Sequence, residues 1–208
     1  MKCNTDMLCE IFSRGLVAGL GNENQTCVEG AIALACGLPL SDTPPCVAAE
    51  DRAYAIAIND AAWPSPEARA EALLPLALAQ IGTAGTDRVP WVRRIVEGTI
   101  RRVLSLALRA AAETQPEPHR AAMLAAADRC AAEGSKRAAK AAALAALAAW
   151  WAAEAAVWAA WAAEAAAEEA AWAAAWAAAW AAARAAGDAI LRESVAVALD
   201  AYRAEGRA

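Results

Sequence analysis

The residues of this chain with the plainest chemistry are its six cysteines: Cys3, Cys9, Cys27, Cys36 and Cys46 crowd the first quarter, and Cys130 stands apart. A thiolate can act as a nucleophile, a redox group or a soft metal ligand. No C-x-x-C pair is present, and that spacing is what makes a zinc site recognisable, so the sequence assigns no metal site. If one helix carries both Cys27 and Cys36, their spacing puts them about 180° apart, and they cannot hold one ion. Cys36 and Cys46 flank the turn Gly37 to Pro45 and can approach each other, as a redox pair or as part of a metal site. Cys46 would open a helix after Thr43-Pro44-Pro45, where the dipole lowers a thiol's pKa, which makes it the candidate reactive thiol. The single histidine, His119, lies in the turn Pro116-Glu117-Pro118-His119, and no motif joins it to Cys46 as a base. The plainer reading of all these cysteines is buried packing.

A second candidate is basic. The helix expected from Asp87 carries Arg94, Arg101, Arg102 and Arg109 within about 100° of one another. That face can take phosphate, an acidic protein or carboxylates of the chain itself, and pairing within the chain is the simpler expectation. Polar residues also gather at Asn22, Asn24, Gln25 and Glu29, and at Glu50, Asp51, Arg52, Asn59 and Asp60. Beside helix ends these read as caps and surface rather than as an acid–base pair. No phosphate loop, nucleophile elbow, H-E-x-x-H or dinucleotide fingerprint occurs, so no catalytic or cofactor-binding residue is assigned.

The elements that must position these groups are helices. No period-2 strand pattern is convincing, and the chain reads as all-α. Short helices are expected over about 5–19, 24–36, 44–60, 66–82, 88–112 and 118–132. Thr43 before Pro44-Pro45 and Ser65 before Pro66 are N-cap signals, and Gly37, Gly82 and Gly134 are stops. Pro75 removes a helical hydrogen bond and predicts a kink or break. From Ser135, an N-cap, no Gly or Pro intervenes until Gly187, which predicts one helix of about 50 residues, about 75 Å long.

That helix carries a stripe of indoles. At about 100° per residue, Trp150, Trp151, Trp158, Trp161, Trp172, Trp176 and Trp180 share an arc of roughly 120°, which Leu144 and Leu147 extend toward its start. Most of the opposite arc is alanine, while Glu154 and Glu169 fall inside the stripe. Either the indoles bury against other helices, or the alanine face packs and leaves tryptophan and glutamate to a partner. Exposed indoles at this density would drive association.

Composition sets the remaining bounds. The chain has 208 residues, 60% of them hydrophobic, and a formal net charge of −5. Much of the apolar fraction is alanine, which buries little area, so stability leans on close helix packing and helix propensity. An acidic pI near 5.0 argues against nonspecific nucleic-acid binding. The uncharged runs 141–153 and 170–183 fall short of the ~18 residues needed to span a bilayer, which excludes an integral membrane segment and leaves surface adsorption as a minor reading. Asp6 and Glu10 interrupt any secretory-type apolar stretch, so a cytoplasmic protein with reduced thiols is expected.

The stretch from Cys46-Val47 through Asn59-Asp60-Ala61, with Trp63 and Ile81-Gly82-Thr83-Ala84-Gly85, resembles uncharacterised Ala-rich helical proteins of actinobacteria, related bacteria and their phages, which often end in Trp/Ala helices. The resemblance implies an all-helical fold and no catalytic residue.

Three parts are therefore expected: a bundle of short helices over 1–134, a long Ala/Trp helix over 135–186 packing on it or on a second copy, and a terminal helix over 187–208. The leading expectation for function is a non-enzymatic interaction or self-association module of a bacterial or mobile-element genome. It would bind a protein partner or its own copy through the tryptophan face, with no cofactor. The alternatives are a thiol- or metal-dependent protein using Cys36 and Cys46, and peripheral membrane binding through the tryptophan stripe.

Overall fold

The computed structural model describes residues 3–146 and 187–207. The protein is all-α: among the described residues there is no β-strand, only an isolated antiparallel bridge between Gly21 and Thr26. Two compact units form, Met1–Ile95 with Leu191–Ala208, and Val96–Ile190. Most of the expected long helix, 147–186, with every tryptophan of the stripe and with Glu154 and Glu169, lies outside the described residues.

In the first unit, α1 (Thr5–Ser13) starts on Asn4, whose side-chain oxygen accepts from the Asp6 and Met7 amides. It ends at Ser13 rather than near residue 19, because the backbone turns away to other segments. Leu16 N donates to Pro66 O at 3.0 Å, and Val17 N to Thr26 O at 3.1 Å. Helix α2 (Val28–Ala35) begins later than its polar lead-in suggests. Asn22 closes that lead-in as a turn, accepting from the Asn24 and Gln25 amides. Cys27 is the N-cap of α2, its sulfur accepting from Gly30 N at 3.3 Å.

Helix α3 (Ala49–Asn59) corrects the expected start at 44. Thr43 does not cap it, since its hydroxyl pairs with that of Ser41. Instead the cap comes from far along the chain: Thr83 Oγ1 accepts from Ala48 N at 2.9 Å. Helix α4 (Pro66–Gln80) is capped by Ser65 as expected and runs unbroken through Pro75. Glu71 and Pro75 are both exposed, so the carbonyl that loses its donor faces water.

The helix expected over 88–112 is continuous from Val89, in three parts: α5 (Val89–Gly98), a π-helical stretch Thr99–Leu104, and α6 (Ser105–Ala112). In the second unit, α7 (His119–Glu133) ends at Gly134, whose φ of 60° only glycine adopts readily. A Cβ there would lie 2.6 Å from Arg101 Nε. Helix α8 covers 136–146 of the described chain, with Ser135 Oγ accepting from Ala138 N at 3.1 Å, the cap expected from sequence. The core of this unit is Ile100, Leu108, Met123, Cys130 and five alanines. The terminal helix α9, 187–203, places Tyr202 among the fully buried residues of the first unit.

Candidate functional site

Three segments of the first unit converge on sulfur. Cys3 precedes the Asn4 cap, and Asn4 N donates to Ala35 O at 2.8 Å, which ties the start of α1 to the end of α2. Cys36 is the C-cap of α2, its N–H bonded to Ile32 and Ala33 carbonyls. Cys46 sits in the turn before α3, and its carbonyl accepts from Gly82 N at 2.9 Å and Ala84 N at 3.3 Å. Backbone hydrogen bonds therefore anchor the residue itself or its immediate neighbour in all three cases. Cys3 and Cys36 form a disulfide, and Cys46 Sγ lies 3.6 Å from Cys36 Sγ. All three sulfurs fall within 4.8 Å of one another, Cys46 buried and the other two half-buried. The chain matches no known protein family, no curated protein and no solved structure. Function has to be read from the site itself.

The expected approach of Cys36 and Cys46 is realised, and two expectations about the thiols are corrected. Cys3 and Cys36 are bonded rather than reduced. Cys46 lies in a turn, not in the first turn of a helix, and burial pushes its thiol up instead of a dipole drawing it down. Its sulfur neighbour is Cys36, while His119 heads α7 in the second unit. Of the remaining cysteines, Cys9 is exposed, and Cys27 and Cys130 are buried thiols likewise pushed up by burial.

Sequence reading missed the buried polar groups around this unit's core. Asp51, Glu29 and Asn59, read as caps and surface, are all but inaccessible. Asp51 accepts two bonds from Arg88, at 2.7 and 2.8 Å, and one from the Tyr202 hydroxyl. Arg88 Nη1 donates to Glu205 at 2.7 Å, and its guanidinium lies 4.9 Å from the Trp91 ring centre. Trp91 packs edge-on to Tyr54 and against Tyr202. Burial and the adjacent Asp51 carboxylate push the Tyr202 phenol far above its ordinary range, so it stays a donor.

Glu29 accepts from Gln80 Nε2 at 2.9 Å, and burial pushes its carboxyl up to about 8. Glu29 Oε2 and Gln80 Oε1 are both buried acceptors without a donor among the described residues. A proton on Glu29 supplies the donor this pair lacks.

Arg94, Arg101 and Arg109 are engaged within their own units. Arg94 lies 4.0 Å from Glu205, and Arg109 pairs with Asp128. Arg101 bonds Glu97 and donates to the carbonyls of Ala131, Ala132 and Glu133, closing the end of α7. Arg102 sits beside it in the π-helical stretch. No described helix is long and apolar enough to cross a membrane.

Proposed function

We propose that this protein works through its three-cysteine centre, as a thiol-dependent protein whose disulfide can be exchanged internally. The carrying observation is Cys46 Sγ 3.6 Å from Cys36 Sγ, which is already bonded to Cys3. In the exchange the Cys46 thiolate attacks Cys36 Sγ, and a Cys36–Cys46 bond forms as the Cys3–Cys36 bond breaks. Cys3 leaves with the electron pair and takes up the proton that Cys46 gave to solvent, so there is no net oxidation.

The two bonds constrain the chain differently. Their sequence separations are 33 and 10. Chain-entropy arguments give about 3.7 and about 2.7 kcal/mol against unfolding, a difference of about 1 kcal/mol. Loop entropy alone therefore locks neither form. Exchange unfastens the start of α1 from the end of α2 and fastens α2 to the turn before α3.

The test is disulfide mapping by proteolysis and mass spectrometry in a glutathione buffer. Wild type should give both bonds, and Cys3→Ser should give Cys36–Cys46 alone. Free Cys36 and Cys46 thiols in Cys3→Ser under oxidising conditions would defeat the reading.

Association through the tryptophan face is a second proposal, and a feature of α8 favours it. Ala138 and Ala142, about 140–180° from Trp151 on a helical projection, are buried, whereas Leu144, which falls in the tryptophan arc, is 61% exposed. Sedimentation of the chain with Trp158, Trp172 and Trp176 changed to Ala should show a smaller species than wild type. An unchanged mass, fold and partner binding would remove this proposal.

A further inference from the structure

We infer that the reduced centre is a site for one thiophilic closed-shell cation of the Zn2+ type, held by Cys3, Cys36 and Cys46 with one coordination position open. This rests on the reading that the three sulfurs form one working centre, and it adds the ligand class.

The first argument is convergence. A disulfide needs two sulfurs, yet three segments separate in sequence deliver three, within 4.8 Å of one another. The second is spacing. Zinc–thiolate bonds of about 2.3 Å in a tetrahedron place sulfurs about 3.8 Å apart. Cys36 and Cys46 stand at 3.6 Å, one edge of such a tetrahedron. The third is the donor set. Among the described residues no carboxylate or imidazole belongs to this cluster of ligand atoms, and all-sulfur donors select soft cations over magnesium or calcium. The fourth is scaffolding: the bonds of Asn4 to Ala35, of Cys36 to its helix, and of the Cys46 carbonyl to Gly82 and Ala84 hold the backbone on every side.

Metal and disulfide exclude each other. Opening the Cys3–Cys36 bond takes two electrons and two protons: a dithiol supplies both and leaves as its own disulfide, whereas a phosphine supplies the electrons, leaves as its oxide, and the protons come from water. Binding the cation then releases the three thiol protons. A disulfide oxidant such as oxidised glutathione takes the two electrons, leaves as two thiols, re-forms the Cys3–Cys36 bond and expels the ion, which couples release to the thiol–disulfide balance of the surroundings.

The full chain, reduced with a phosphine and desalted without oxygen, is titrated with Zn2+ against a chromophoric chelator. A parallel titration with Cd2+ follows thiolate-to-metal charge transfer in the ultraviolet. One ion per chain is expected, with none in the disulfide form. Cys46→Ser should bind more weakly by over ~100-fold, beyond the loss from removing an outer hydrogen bond, and Cys130→Ser should bind as wild type. Circular dichroism identifies a misfolded variant, and Cys3→Ser then supplies the same comparison. No ion in the reduced chain, or binding unchanged in both Cys46→Ser and Cys3→Ser, overturns the inference. If the ion fails to bind while the Cys36–Cys46 bond still forms, the cation is refuted and exchange stands. If it binds while that bond never forms, exchange is refuted and the cation site stands.

Discussion

The first unit buries Asp51, Arg88, Glu29, Asn59 and Gln80. In the second, the described core is four larger residues and five alanines, and ion pairs such as Arg109–Asp128 and Arg120–Glu113 lie at the surface. The two solutions carry different kinds of information. Alanine faces allow helices to approach closely, yet each alanine has the same shape, so such packing fixes distance better than register. A buried charge favours arrangements that pair it and satisfy its hydrogen bonds. Asp51 meets Arg88 and Tyr202 together, and through them α3, the segment before α5 and the terminal helix acquire fixed positions in the first unit. The three-sulfur centre lies in the unit that has this specificity.

The largest expected effect follows from removing one partner of the buried pair. Arg88→Met leaves the buried Asp51 carboxylate with the Tyr202 hydroxyl and no countercharge, and should cost about 3–5 kcal/mol in urea unfolding, whereas Asp51→Leu with Arg88→Met should recover part of it, the remainder reflecting the Tyr202 hydroxyl and Glu205 left without their partners. A loss below about 1 kcal/mol would mean that water reaches Asp51, and the contrast between the units would fall.

The buried acid sharpens the contrast through pH. The folded pKa of Glu29 is raised from 4.5 to about 8. The folded state therefore holds a proton that the unfolded state releases, so its stabilising contribution is complete below about 4.5 and is lost as pH rises toward 8. Between about pH 6 and pH 7 the slope should approach 1.4 kcal/mol per unit. Glu29→Gln retains an N–H donor toward Gln80 and should flatten that slope in the stability profile. A slope that persists in Glu29→Gln assigns the proton to another group.

Legibility in the sequence differed between features for physical reasons. Ser65 and Ser135 were readable as caps because a hydroxyl beside a helix start acts on amides within three residues. The start of α3 was not, since its cap is Thr83, 35 residues away. The approach of Cys36 and Cys46 was readable from the turn between them. Cys3 was not, because its place beside Cys36 depends on how α1 packs on α2. Asp51 and Glu29 look like ordinary first-turn acids. What buries them is the return of the terminal helix and the end of α4, contacts that no local pattern encodes.

Overpacking tests the alanine core directly. Ala127 is inaccessible to solvent, and Ala127→Leu should cost about 1–3 kcal/mol as the helices of the second unit are forced apart. A neutral result would show that this core has slack to receive a larger side chain. The smallest effect belongs to Arg109→Ala. Its pair with Asp128 has side chains 48% and 68% exposed, so water screens the attraction and ordering two long side chains offsets what remains. The expected loss is under about 1 kcal/mol and should shrink further in high salt. Arg109 bonds one carboxylate at the surface, whereas Arg88 bonds Asp51 twice and Glu205 once out of water, so burial and the number of bonds act in the same direction. A cost for Arg109→Ala equal to that of Arg88→Met would show that burial is not what gives the first unit its specificity.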